Sequence, residues 1–257
     1  MLGLSGSMAN AVKPSAHNQR FRNFDGSDQS VTLANLVDQV GQGIRTNVSE
    51  FSFSCWFRQE ATNSTGTLFR AHESSDNFFA VIYKANADEF QFVTKFGGVN
   101  DTVTSGDEND DGNSWEDDGI WHHLVATVSV TDDTIELWID GTKKDDKSGV
   151  GTLDAAITSV AIGQSSVGSS FHKGDIDEVA FWGRQLTDAE IAIIYNAGAQ
   201  SGEKAIDLSN SAHVSNQELI GYFRFEETSG EVAINSAPTK LNGEYTNGPA
   251  VGTTPLP

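Results

Sequence analysis

Apolar and polar residues alternate over short runs through most of the chain. Phe51, Phe53, Cys55 and Phe57 alternate with Ser52, Ser54 and Trp56, the period of two that a β-strand requires. Phe78–Lys84 and Glu89–Phe96 predict a meander around Asn86-Ala87-Asp88. Trp121–Val130 and Thr134–Ile139 form the clearest strand pair, and Asp140-Gly141 before Thr142-Lys143-Lys144 is a type I′ hairpin signal. Gly174 to Trp182 reads as a further strand. Its alternation sends Ile176, Glu178, Ala180 and Trp182 to one face and Asp175, Asp177, Val179 and Phe181 to the other. The period then changes. Thr187-x-x-Glu190 is a capping box, Leu186 and Ile191 make a hydrophobic staple, Ile191, Ile194 and Tyr195 share a helical face, and Gly198 is the expected stop. Many short strands with a single helix predict an all-β fold, a sandwich of two antiparallel sheets. Helix–strand alternation is absent, which disfavours α/β classes.

Three segments follow from this pattern. Residues 1–20, with Gly, Ser, Asn and Pro14 but no periodicity, are expected to be an extended arm, with a disordered tail as the alternative. Residues 21–200 form the sandwich. Residues 201–257 contain Leu219-Ile220-Gly221-Tyr222-Phe223-Arg224-Phe225-Glu226-Glu227, a further strand pattern expected to join the same sandwich.

Charge narrows the partners. The 257 residues hold 36 acidic and 16 basic side chains, a net charge of −20. Such a surface repels phosphate backbones and anionic lipid, so neither nucleic acid nor membrane insertion is expected, while divalent cations are favoured. No apolar run reaches the ~18 residues a spanning helix needs. The first eight residues lack a positive region followed by an apolar one, so signal-dependent export is not expected. Cys55 is the single cysteine, which excludes an internal disulfide.

Five stretches, in order, resemble the laminin-G-like domains of the concanavalin A-like lectin/glucanase superfamily. They are Phe24-Asp25-Gly26-Ser27-Asp28, Phe51–Phe57, Gly119-Ile120-Trp121-His122-His123, Ile135–Gly141 and Gly174–Ile191, the last resembling the closing strand and helix. The resemblance implies a jelly-roll sandwich. It also implies a structural calcium near the first and last core strands, for which Asp25 and Asp177 are the matching residues. Leu219–Glu227, with Ser229-Gly230 and Leu241-Asn242-Gly243-Glu244, resembles a motif that usually opens these domains. Either the chain is circularly permuted or a truncated second module begins there; about 40 residues are few for another sandwich, which favours the first.

Candidate chemistry is sparse. Asp107, Asn109, Asp111, Gly112 and Asp118 nearly match the spacing of a calcium loop, although Asp118 is shorter than the usual Glu and the flanks are not helical. A solvated acidic loop is the alternative. Asp175-Ile176-Asp177-Glu178 invites a glycosidase interpretation, but Glu178 is expected to face away and the strand matches the closing motif. His122 and His123 are expected to point to opposite faces, so they do not chelate one ion. Trp115, Trp138 and Trp182 could stack on sugar, though core packing is the commoner fate.

No catalytic residues are assigned, and the expectation is a non-enzymatic protein with calcium as its one implied cofactor. The leading function is a virion decoration or appendage protein of a tailed phage, made in the host cytoplasm. Its arm would dock on other virion proteins, its sandwich would bind host-surface glycan, and it would form a homo-oligomer. The alternative is a soluble or exported carbohydrate-binding lectin or adhesin module.

Overall fold

The computed structural model describes residues 20–34, 50–107, 112, 114–151, 157–165, 169–199 (196–199 by backbone alone), 206–209 and 216–253. The expected arm therefore falls outside the described residues, apart from Arg20.

Two antiparallel sheets pack face to face. The first runs β10 (Thr142–Ser148), β9 (Thr134–Ile139), β8 (His122–Ser129), β3 (Glu50–Gln59), β12 (Lys173–Trp182), β1 (Phe21–Asp25), β16 (Ala250–Gly252), and β13 (Leu219–Phe223) also pairs with β12. The second runs β14 (Val232–Ala233), β15 (Gly243–Thr246), β2 (Ser30–Thr32), β11 (Ser159–Ile162), β4 (Gly66–His72), β5 (Phe78–Lys84), β6 (Glu89–Phe96), β7 (Val99–Thr104). The helix α1 (Asp188–Ala199) follows β12 and lies against the first sheet.

Phenylalanine joins the sheets. Phe53 of β3 stacks on Phe69 of β4 at 4.6 Å between ring centroids, and Phe51 meets Phe79 of β5 at 4.6 Å. Phe57, Phe90, Phe92 and Phe181 fill the same core. Each ring contributes roughly 1.5–3 kcal/mol by leaving water.

The serine face of β3 is also buried, because α1 covers it. Ser52 Oγ donates to the Arg184 carbonyl and accepts from the Leu186 amide, both at 2.9 Å, and so ties the approach of α1 to the sheet. Trp182, Leu186, Ile191 and Ile194 then pack with Val125, Trp138 and Tyr222 in a second apolar cluster. The capping box forms as its spacing dictates: Thr187 Oγ1 accepts from the Glu190 amide at 3.3 Å, and Glu190 Oε2 accepts from the Thr187 amide at 3.0 Å. Helical backbone runs past Gly198 to Ala199, one residue beyond the expected stop. The hairpin is type I′, with φ of +51° at Asp140 and +72° at Gly141. Gly141 is also required by contact, since a Cβ there would lie 2.8 Å from the Tyr195 ring.

The expected alternation of β12 breaks at one point. Glu178 has φ +48°, and the register against β3 shifts between Asp177 and Ala180. This bulge places Ile176, Val179 and Phe181 together in the core, whereas strict alternation had separated Ile176 from the other two. Asp175, Asp177, Glu178, Ala180 and Trp182 all take the helix side: Asp177 stands opposite Trp56, and Ala180 opposite Ser54. Beyond β3, β12 has a second neighbour that is made in two pieces. β1 pairs with Lys173–Ile176, and β13 pairs with Val179–Trp182.

Candidate functional site

The acidic run of β12 is interior structure. Asp175, Asp177 and Glu178 are 2%, 1% and 3% exposed. Asp175 accepts from Arg58 at 2.5 and 2.8 Å and from Asn23 at 2.8 Å. Burial raises its carboxyl above the usual range, against the opposing pull of Asn23 and Arg58. Glu178 accepts from Tyr222 Oη and lies 3.3 Å from Arg224. Burial pushes its carboxyl up to about 7, with Arg224 opposing. Asp177 Oδ1 accepts from the Glu178 amide at 2.8 Å. Asp175 and Glu178 hold β12 to its neighbours, and all three carboxylates lie beneath a cover of protein, so no sugar ring reaches them.

Neither expected calcium set assembles from the residues described. Asp25 pairs with Lys173, and Asp177 is four residues further along β12, about 13 Å away at the rise of a strand. The two therefore stand apart in the sheet and are not brought together. Asp25 instead accepts from the Ser27 amide at 2.8 Å, a turn contact. In the acidic loop, Asn109 and Asp111 lie outside the described residues, and Asp107 is exposed. Asp118 is committed elsewhere: Oδ1 accepts from the Ile120 amide at 2.8 Å, and Oδ2 lies 2.8 Å from His122 Nε2. Among the described residues, no three His, Cys, Asp or Glu side chains gather as a metal-holding group.

His122 sits between two carboxylates, with Asp140 Oδ2 2.6 Å from its Nδ1. Burial favours the neutral ring, but hydrogen bonds and charge from Asp140, then Asp118, outweigh it and raise His122 above its ordinary value. Asp140 Oδ1 also accepts from the His123 amide at 2.8 Å. The His-His strand and the Asp-Gly turn are thus two halves of one clasp. The three tryptophans considered for stacking are core residues, with Trp115, Trp138 and Trp182 at 1%, 7% and 1% exposure.

The open site lies elsewhere, where the turn between β8 and β9 faces the start of α1. A groove of about 520 Å³ is lined by Asp132, Thr134, Glu136, Gln185, Thr187 and Asp188, with Leu186 and Ala189 supplying its apolar part. Its polar groups are held in place. Glu136 accepts from Lys143 Nζ at 2.6 Å and from Trp138 Nε1 at 3.0 Å. Gln185 Nε2 donates to Thr127 Oγ1 at 3.3 Å, and Ser129 Oγ donates to Asp132 Oδ2 at 3.2 Å. Carboxylates dominate the lining, so the groove suits donors, hydroxyl groups above all, and repels anions. Thr187 and Asp188 were legible in the sequence only as a helix start; no pattern linked them to Asp132 and Glu136, some 55 residues earlier.

Comparisons with known proteins agree with this fold. The model of the laminin-G-type family described as the concanavalin A-like lectin/glucanases superfamily matches residues 24–192. No curated protein matches the sequence. Among solved structures, a protein from Bacteroides ovatus provisionally described as carbohydrate binding superposes with a TM-score of 0.64 at 17% identity. That match covers 94% of this chain and 62% of the other, so the chain spans less than two thirds of that relative. The heptameric SAP-like pentraxin of Limulus polyphemus gives 0.57 at 13% identity, covering 92% of this chain and 96% of the pentraxin. The NanB sialidase of Streptococcus pneumoniae gives 0.52 at 15%, covering 68% of this chain and 27% of the sialidase. At such identities the likeness is one of fold.

Proposed function

This chain belongs to the concanavalin A-like lectin/glucanase superfamily, and on that premise we propose that it is a non-catalytic carbohydrate-binding module. The groove at the start of α1 carries the proposal. Asp132, Glu136, Gln185 and Thr187 are fixed by their own hydrogen bonds, and fixed acceptors facing an open groove suit a neutral polyhydroxylated chain. A hydrogen bond to a charged acceptor contributes about 1.5–3 kcal/mol, so two or three such bonds suffice for weak, saturable binding. The carbohydrate-binding description of the Bacteroides ovatus protein supports this assignment. Burial of Asp175, Asp177 and Glu178 supports a module without glycosidase chemistry.

A glycan array with the full chain is the test. Saturable binding to neutral glycans is expected, weakened about tenfold by Asp132→Asn or Gln185→Ala. Absence of binding across the array, or binding indifferent to both substitutions, overturns it. Release of reducing sugar from a polysaccharide panel would overturn the non-catalytic part.

Display of the same domain on a phage particle is the second possibility; it rests on the composition of residues 1–20 and the net charge of −20. Mass spectrometry of purified particles tests it, and absence of the chain from intact particles would sink it.

A further inference from the structure

The outward face of the second sheet carries an arginine without a counter-charge. Arg70 of β4 stands opposite Ala80 of β5 on one side and Ala161 of β11 on the other. Both neighbours are small, and both are buried, at 0% and 2% exposure. The guanidinium lies over Phe78, 3.8 Å from the ring centroid, which holds its plane in place. Among the described residues Arg70 has no carboxylate partner, and its Nε is buried without an acceptor. Acids outnumber bases 36 to 16 in this chain, so an unpaired, half-buried arginine is not a shortage of partners. The carboxylates of the turn between β4 and β5 are engaged elsewhere, Asp76 with Lys95 at 2.6 Å and Glu73 with Asn77 at 3.4 Å.

A second polar group stands beside Arg70. His72, two residues along β4, has a buried Nδ1 with no hydrogen-bond partner, while its ring interacts with the Ser159 backbone. Burial, then the charge of Arg70, lowers His72 below its ordinary value. A neutral imidazole that donates to a backbone carbonyl through one nitrogen presents the other as an acceptor. That acceptor is itself buried, so what this face offers a ligand is the fixed fork of cationic donors on Arg70.

We propose that Arg70, held over Phe78, forms a second binding site, for an oxyanion carried on a polyhydroxylated ligand. The carboxylate of a uronic acid and a sulfate ester share the required chemistry: the guanidinium takes the oxyanion in bidentate fashion. The site is independent of the groove, which lies on the other sheet and disfavours anions.

Titration of the full chain with cellobiose, its uronic-acid form and its sulfate ester, followed by amide NMR, tests the site. At least one anionic sugar is expected to shift amides of β4, β5 and β11, with neutral cellobiose leaving them unmoved; which one binds identifies the oxyanion. Arg70→Gln is expected to weaken binding about tenfold or more, and Arg70→Lys, which keeps charge but loses the fork, by a smaller factor. Asp132→Asn in the groove should leave this binding unchanged. The proposal is overturned if neither anionic sugar shifts those amides in the unaltered protein, or if Arg70→Gln binds as well as the parent.

Discussion

His122 and its neighbour on the strand have opposite relations to pH. The folded value of His122 is raised by its carboxylate partners. Its contribution is therefore whole below about pH 6.5, the unfolded value, and is lost as pH rises through the folded one. His122→Gln is expected to lose roughly 1–3 kcal/mol at pH 6 and less at pH 9, read by urea unfolding. Equal losses at both pH values would show that no charged clasp exists. His123 and His172 behave in reverse. Burial lowers them to about 4 and about 3. The unfolded chain takes up protons below about pH 6.5 while these buried rings do not, so each removes up to about 1.4 kcal/mol per pH unit on acidification. Neither ring nitrogen of His172 has a hydrogen-bond partner. His172→Leu should match the parent at pH 7.5 and exceed it by about 2 kcal/mol at pH 4.5, measured by thermal unfolding; an unchanged acid limb would contradict this.

The strand-to-helix segment combines strictly local signals with one that is not local. Thr187 and Glu190 read correctly because a cap is satisfied within four residues. Thr187→Ala should cost about 1 kcal/mol, seen as a lower urea midpoint at constant slope. The bulge at Glu178 was not legible, because it exists only relative to the partner strand: β3 sets the register that Glu178 escapes. At the other end of β12, Gly174 has φ +136°, and a Cβ there would lie 2.3 Å from the Arg58 carbonyl. Gly174→Ala is expected to destabilise the protein by roughly 3 kcal/mol or more, because two backbones of a paired ladder must separate. Near-normal thermal unfolding would refute that close approach.

Across the molecule, β1 and β13 share one side of β12, joining residues almost two hundred positions apart. Arg22 fastens the two ends of the chain. It is buried at 3% exposure, donates to Tyr245 Oη at 2.9 Å, and pairs with Glu227 at 3.1 Å. Arg22→Met would leave the partly buried Glu227 without its cation, and a loss of about 3 kcal/mol is expected in thermal or denaturant unfolding. A loss below 1 kcal/mol would mean that the C-terminal segment is held by its strands alone.

The elements and the fold class were determined by the sequence itself, because strand alternation, the I′ turn and the capping box depend on residues within a few positions of one another. The family resemblance was carried by these same local motifs. What each carboxylate does was settled only by folding. Asp118 and Asp177, expected at calcium, are held by His122 and by a backbone amide; Asp132 and Glu136 instead meet Thr187 and Asp188 at an open groove. Arg70 gained its meaning from Ala80 and Ala161, small neighbours supplied by two other strands. Burial and charge pairing depend on which strands become neighbours, and that is a property of the packed sheets that no single stretch of chain contains.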